Sequence, residues 1–437
     1  MNLISQEIQS MSGEVYCPGD KSISQRILII GSFLNCDMEI DGFLDSEDPN
    51  STLKALNEIG ASIKKEQNKV FLTKRNIPFQ EPSNNLDLGN SGTGARLILG
   101  LIAGLALKST IVGDSSLSNR PMLRVIKPLT EMGANIQSSN GTLPIKTFDS
   151  RISNNFKYDM PIASAQVKSC LLLAALASKN NIKIIEPKIT RDHTERMIDH
   201  FGGDISFGKK ENTGEVELKL NILSPKSTYS VPGDFSSAAF IIVAALISHK
   251  SKVLIKNVGL NKTRCGLIEI LKLMGANINI QNQKTKSNEP VGDILVKSSD
   301  LIGIDVPENI IPNIIDEIPI LSIAAAFADG TTKITNASEL RVKESDRLSA
   351  ISNGLSKLNI RHEIFNDGIE ITGTKEKINS DDMIDSFNDH RIAMSFLIAG
   401  IRSKNGISVM NCRNIETSFP NFMNIMNSLG MKIDENN

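Results

Sequence analysis

The residues of this chain best suited to chemistry collect at the starts of apolar runs. Asp20-Lys21-Ser22 with Arg26, Asn90-Ser91-Gly92-Thr93, Ser164-Ala165-Gln166 with Lys168, Asp316-Glu317 and Asn388-Asp389-His390-Arg391 each open an aliphatic, alanine-rich stretch, and Asp234-Phe235-Ser236-Ser237 opens another. Ser, Asn and Asp in such places are ordinary helix N-caps. Capping does not account for Lys21, Arg26 or Arg391. A cation near a helix N-terminus opposes the macrodipole, so these three point to an anion, phosphate or carboxylate, held jointly by backbone N–H groups and side chains. Arg120 in SSLSNRP, Arg191 in TRDHTER, and Lys343 with Arg347 in RVKESDRL add to the set. Each alone reads as a solvated surface charge, and Arg341 to Arg347 also fits an exposed, ion-paired helix start. Taken together they match what two phosphates and a carboxylate in one site would need. Asp316, Glu317 and Glu344 supply acid–base groups, although Asp316 equally fits an N-cap. Neighbouring cations would make such a carboxylate a base and desolvation would make it an acid, a choice the sequence leaves open. His390 is one of only five histidines and fits a structural role as well as a functional one. No HExxH, GxxxxGK[ST] or GxSxG pattern is present, which removes support from zinc hydrolysis, P-loop transfer and serine esterase chemistry.

The elements that must position these groups repeat. Segments ending in Gly or Asn before a β-type stretch recur as LNEIGASI (56–63), LTEMGANI (129–136), IDHFGGDI (198–205), LKLMGANI (271–278), LSKLNIRHEI (355–364) and MNSLGMKI (426–433). The markers Gly60, Gly133, Gly202, Gly275, Asn359 and Gly430 lie 73, 69, 73, 84 and 71 residues apart. Gly adopts the left-handed conformation freely and Asn tolerates it, so each marker predicts the end of an outer helix. In phase with them run six apolar segments, 21–34, 90–107, 163–178, 234–248, 315–328 and 388–401, too uniform for surface helices and predicted to be buried. With β-branched stretches such as Lys252 to Ile255 and Thr331 to Ile334 between them, each repeat reads as β-α-β-α-β-β, an α/β (α+β) chain. Repeats of this size could also build a scaffold without chemistry.

Composition sets outer limits. The 437 residues, 40% of them hydrophobic, can bury more than one core, and two domains are expected. Lys plus Arg (48) nearly equal Asp plus Glu (49), so nothing global favours nucleic acid or an anionic membrane, and any basic site is local. Five scattered cysteines without CxxC spacing argue against zinc and disulfides and for a reducing cytoplasm. The N-terminus lacks a signal or transit pattern and reads as mature protein. No apolar stretch reaches the length of a membrane span.

PGDKSISQR (18–26), LGNSGTGAR (88–96), SNRPM (118–122), ASAQVKS (163–169), TRDHTE (190–195), IDEIP (315–319), LRVKESDRL (340–348), NDHRIAMS (388–395) and TSFP (417–420) together resemble the 5-enolpyruvylshikimate-3-phosphate synthases, in order along almost the whole chain. Several spellings are similar to the bacterial class II branch. The resemblance implies the two-domain enolpyruvyl transferase fold, six βαβαββ repeats with three in each domain, described as an inside-out α/β barrel. Pro-Gly-Asp at 18–20 and again at 232–234 sets the expected boundaries, 19–231 for one domain and 1–18 with 232–437 for the other. The resemblance implies transfer of the enolpyruvyl group of phosphoenolpyruvate to the 5-hydroxyl of shikimate 3-phosphate in a cleft between the domains, by a cytoplasmic monomer with no cofactor, metal, nucleic-acid or membrane partner.

Carried over by position, the resemblance gives Lys21, Ser22, Arg26, Ser164, Ala165, Gln166, Arg191, Asp316 and Lys343 to shikimate 3-phosphate. Lys21, Asn90, Gly92, Arg120, Gln166, Arg347 and Arg391 go to phosphoenolpyruvate, and Asp316, Glu344 and Lys21 to catalysis. Gly92 lies where the inhibitor glyphosate is accommodated in sensitive members, which implies sensitivity here. Three positions depart from the pattern of other members: Ala165 replaces a second Ser, Thr417 a Lys, and Glu339 an Asn. Each puts one ligand contact in doubt. The sister UDP-N-acetylglucosamine carboxyvinyltransferases carry a reactive Cys in a loop matching Ser115 to Arg120, where this chain has none. RNA 3′-phosphate cyclases share the repeats but would demand a basic surface. A phosphosugar-binding protein without turnover would not need Asp316, Glu344 and Lys21 together.

Overall fold

The computed structural model describes residues 1–66, 69–211, 213–219, 223–380 and 382–436. The six apolar runs form helices Lys21–Leu34, Gly92–Leu105, Ala165–Ser178, Phe235–Ile247, Ile318–Ala326 and His390–Ala399, here called inner helices one to six. Every residue of the fourth and fifth is buried. Alanine and glycine make this possible by letting backbones approach. A Cβ on Gly100 or Gly104 of the second inner helix would lie 2.2 Å from the Cys170 carbonyl oxygen or 2.4 Å from that of Ala174 on the third. Asp20, Ser91, Ser164, Asp234 and Asp389 cap five of these helices through their side-chain oxygens. The fifth differs. Ile318 begins it, Glu317 occupies the N-cap position without a capping bond, and Asp316 lies one residue further out. The capping alternative for Asp316 is therefore corrected: its side chain is available for other partners.

All six marker residues have positive φ, from 55° at Asn359 to 108° at Gly133. Each closes the same two bonds. The N–H of Gly60 donates to the Asn57 carbonyl and that of Ala61 to Leu56, and the pattern recurs as Gly133/Ala134, Gly202/Gly203, Gly275/Ala276, Asn359/Ile360 and Gly430/Met431. This pairing satisfies two carbonyls that a helix end leaves open.

The strands form six sheets among the described residues, and none closes into a barrel. Where a repeat is complete, its first two strands pair in parallel and the last two join antiparallel in spatial order 1-2-4-3, as in Phe156–Asp159, Ile182–Glu186, Thr213–Leu218 and Ile205–Lys210. In the fifth repeat the first strand shrinks to two isolated bridges, Ile302 with Asp329 and Asp305 with Lys333. Three strands pair out of sequence order. Strand Ser12–Tyr16, directly before the first inner helix, pairs in parallel with Lys252–Gly259 of the fourth repeat. Thr228–Ser230, before the fourth inner helix, pairs with Met38–Asp41 of the first. Leu3–Ser5 completes the sixth sheet between Ile407–Met410 and Ile433–Glu435.

The chain divides into two compact units, each with its own hydrophobic core. One, called unit A, is Gly19–Val231 with the short stretch Thr285–Glu289; the other, unit B, is Met1–Pro18, Pro232–Lys284 and Pro290–Asn437. The stretch 285–289 is the turn of the hairpin Asn277–Lys286 and Glu289–Lys297, and nothing in its composition signals that it packs with unit A. Among the described residues, no helix is long and apolar enough to cross a membrane.

Candidate functional site

In unit A the polar starts of three inner helices are tied to one another. Lys21, at the first position of inner helix one, lies 3.0 Å from Asp48, and both side chains are mostly buried. Ser22 offers its carbonyl to Arg26 Nη1 at 3.0 Å. Arg26 is buried, donating to Thr194 Oγ1 at 2.8 Å and to Ser169 Oγ at 2.9 Å. Burial pushes its guanidinium down to about 10, with Glu195 and Asp20 pulling the other way and Arg191 adding repulsion, so it stays charged at neutral pH. Arg191 is therefore near Arg26, as a common anion would require.

The second inner helix begins at Gly92. Arg120 Nη2 donates to Asn90 Oδ1 at 2.6 Å and to Ser116 Oγ at 3.2 Å, while Asn90 donates to Asp114 at 2.7 Å. Arg96, which the sequence reading did not single out, bonds the Gly92 carbonyl at 3.2 Å, Gln166 Oε1 at 2.9 Å and the Pro121 carbonyl at 3.1 Å. Gln166 in turn donates to Thr93 at 3.0 Å. Helix three is thus pinned to helix two beside Ser164, its N-cap, and Ala165, its first residue. Lys168 belongs elsewhere: fully buried, it pairs with Glu186 and Glu195 at 2.8 Å each.

Unit B gathers the carboxylates. Asp316 Oδ1 lies 3.5 Å from Lys343 Nζ and 3.3 Å from Arg347 Nη1. Glu344 meets the same guanidinium at 2.5 Å, and Asp389 takes its Nε at 2.7 Å. Arg347 is 1% exposed. Burial alone would lower its affinity for a proton, but Asp389, Glu344 and Asp316 outweigh that and hold it well above the usual arginine range. Asp389 also caps the sixth inner helix by accepting from the Arg391 N–H at 2.9 Å. Arg391 Nη1 donates to the Asp316 carbonyl at 2.8 Å. Lys343 also meets Glu339 at 3.1 Å, and Thr417 Oγ1 donates to the Asn414 carbonyl at 2.7 Å. Asp389 and Arg96 are neighbours that the motifs alone do not mark; by type and place Asp389 reads only as a helix cap.

Each unit therefore presents a cluster matched to anions, and the one in unit B adds two carboxylates on a shared, permanently charged guanidinium. Carboxylates beside a fixed positive charge are candidate proton-transfer groups. Among the described residues, no group of three or more His, Cys, Asp or Glu is arranged to hold a metal ion.

The fold is shared with solved enolpyruvyl transferases. The enzyme NikO from Streptomyces tendae superposes with a TM-score of 0.78 over 99% of this chain and 98% of that one at 14% identity, a likeness of fold alone. EPSP synthase from Acinetobacter baumannii superposes with a TM-score of 0.86 over 100% of both chains at 39% identity. The family model for EPSP synthase (3-phosphoshikimate 1-carboxyvinyltransferase) matches residues 5–426. A 3-phosphoshikimate 1-carboxyvinyltransferase of Petrotoga mobilis is 48% identical over 425 residues, 96% of this chain and 98% of that protein. One from Legionella pneumophila (strain Lens) is 44% identical over 437 residues, 100% of this chain and 99% of its own. The chain belongs to the EPSP synthase family.

Proposed function

We propose that the clusters of units A and B serve one reaction, transfer of the carboxyvinyl group of phosphoenolpyruvate to the 5-hydroxyl of shikimate 3-phosphate with release of phosphate. The family supports the activity, and the residues support a division of labour. Lys21, Ser22, Arg26, Ser164, Ala165, Gln166, Arg191 and Lys343 hold shikimate 3-phosphate. Asn90, Gly92, Arg120, Gln166, Arg347 and Arg391, with Lys21, hold phosphoenolpyruvate.

Asp316 takes the proton of the 5-hydroxyl as its oxygen attacks C2 of phosphoenolpyruvate. Glu344, with Lys21, delivers a proton to C3. The product of this step is a tetrahedral ketal whose C2 carries both the oxygen of the former 5-hydroxyl and the phosphate. Loss of a proton from the new methyl group and cleavage of the C2–O bond to phosphate then restore the double bond. The observation that carries this reading is the placement of Asp316 and Glu344 on one buried guanidinium, 3.3 and 2.5 Å from its two terminal nitrogens. A pure binding site has no use for two proton carriers there. In this reading one chain supplies every group, so a cytoplasmic monomer suffices.

Replacing Asp316 by Asn keeps the shape and removes the base. Phosphate release should fall about a hundred- to ten-thousand-fold in kcat, with KM for both substrates within a few-fold of the parent. A variant with parental kcat would remove Asp316 from the mechanism.

A further inference from the structure

The fourth inner helix opens on Asp234-Phe235-Ser236-Ser237, a start that the assigned ligand contacts do not use. Ser236 nonetheless sits at the centre of a buried network. Its hydroxyl donates to Glu317 Oε1 and accepts from Arg264 Nη2 at 2.7 Å and from Arg391 Nη2 at 3.2 Å. A serine hydroxyl has one donor and two acceptor sites, and all three are engaged. Arg264 also lies 3.4 Å from both Glu317 Oε1 and Asp234 Oδ1, and Arg391 Nη1 is 3.5 Å from Glu317. Asp234, Ser236, Arg264, Glu317 and Arg391 are all less than a tenth exposed.

We infer that Ser236, with Arg264 and Glu317 behind it, is a positioning residue that fixes the Arg391 guanidinium for phosphoenolpyruvate. Two guanidinium and two carboxylate groups balance in charge, so the network needs no ligand to be neutral. A buried balanced set adds little stability over apolar packing of the same volume. Its geometric effect is specific. With Nη1 on the Asp316 carbonyl and Nη2 on Ser236, the guanidinium plane is defined by two anchors. Fixed in this way, the guanidinium holds its remaining N–H groups in set directions for pairing with a carboxylate or phosphate. The same anchors tie Arg391 to the backbone of Asp316, so the anion-binding arginine and the proposed base are held in one register.

This inference rests on the reading of Arg391 as a phosphoenolpyruvate ligand. The test is steady-state kinetics of Ser236→Ala with each substrate varied in turn, alongside thermal unfolding. KM for phosphoenolpyruvate should rise about tenfold or more, the equivalent of one hydrogen bond to a charged group, while kcat and KM for shikimate 3-phosphate stay within about threefold. Unchanged KM for phosphoenolpyruvate with a lowered melting temperature would make the network structural only and overturn the inference, as would equal rises in both KM values. Should Ser236→Ala fail to fold, the charge-balanced double variant Arg264→Gln with Glu317→Gln is judged by the same criterion. Wild-type protein assayed in parallel separates the two readings: phosphate release by wild type with no KM change in the variants defeats only the positioning role.

Discussion

At the scale of single residues, the proposed chemistry depends on side chains whose charge is fixed by neighbours. Arg347 contacts three carboxylates and is held charged far above neutral pH, so it is a fixed positive centre beside Asp316 and Glu344, the proposed proton carriers. Gly92 acts through what it lacks. A Cβ there would stand 3.0 Å from Arg96 Nη1 and 3.1 Å from Arg120 Nη1, so both guanidinium ends would have to yield. Gly92→Ala should raise KM for phosphoenolpyruvate about tenfold or more, leave that for shikimate 3-phosphate nearly unchanged, and raise the glyphosate concentration needed for half inhibition. Paired KM measurements with a glyphosate titration check this, and equal sensitivity in both proteins would show that the pocket lies elsewhere. Much at this scale was legible. Lys21, Arg26 and Arg391 stand out because capping cannot explain them, and Asp316 because it lies just ahead of an inner helix. Burial partners were not legible: that Arg96 links Gly92 to Gln166, or that Lys168 serves an internal ion triad, depends on elements that meet only after folding.

At the scale of elements, the inner helices trade side-chain bulk for proximity. Gly100→Ala would gain up to about 1 kcal/mol in helix propensity. It would also place a methyl carbon 2.2 Å from the Cys170 carbonyl oxygen, which backbone can relieve only by moving apart. Overpacking of this kind costs about 1–3 kcal/mol or more, so the net effect should be a melting temperature several degrees lower, measured calorimetrically. The outer helix His193–His200 offers a test in pH. Burial, with Lys226 adding repulsion, holds His200 down to about 4. Between its ordinary value near 6.5 and about 4, the unfolded chain takes up a proton that the folded chain refuses. Stability therefore falls as the medium is acidified through that range. His200→Asn should lose less stability than the parent between pH 7 and 4.5 in urea titrations; a constant difference between them would contradict the assignment. The helix ends were readable at this scale because six Gly or Asn residues advertise a left-handed turn. The pairing of Ser12–Tyr16 with Lys252–Gly259 was not, since adjacency to the first inner helix suggests a local partner and the real one lies some 240 residues away.

At the scale of the whole molecule, two units of three repeats are linked by chain crossings at the two Pro-Gly-Asp tripeptides, where each aspartate then caps an inner helix. Those tripeptides and the 70-residue period made the architecture readable. The assignment of Thr285–Glu289 to unit A was not, because a hairpin's turn carries no record of what it will pack against. The proposed shikimate 3-phosphate ligands fall mainly in unit A and the proposed proton carriers Asp316 and Glu344 in unit B, and the proposed reaction requires both substrates together. Phosphate release by the purified protein, measured with phosphoenolpyruvate alone, with shikimate 3-phosphate alone, with both, and with UDP-N-acetylglucosamine in place of the latter, tests that requirement most directly. The account predicts phosphate in equal amount to enolpyruvyl product only when phosphoenolpyruvate and shikimate 3-phosphate are both present. Phosphate from either compound alone, from the nucleotide sugar mixture, or from none of them would contradict it.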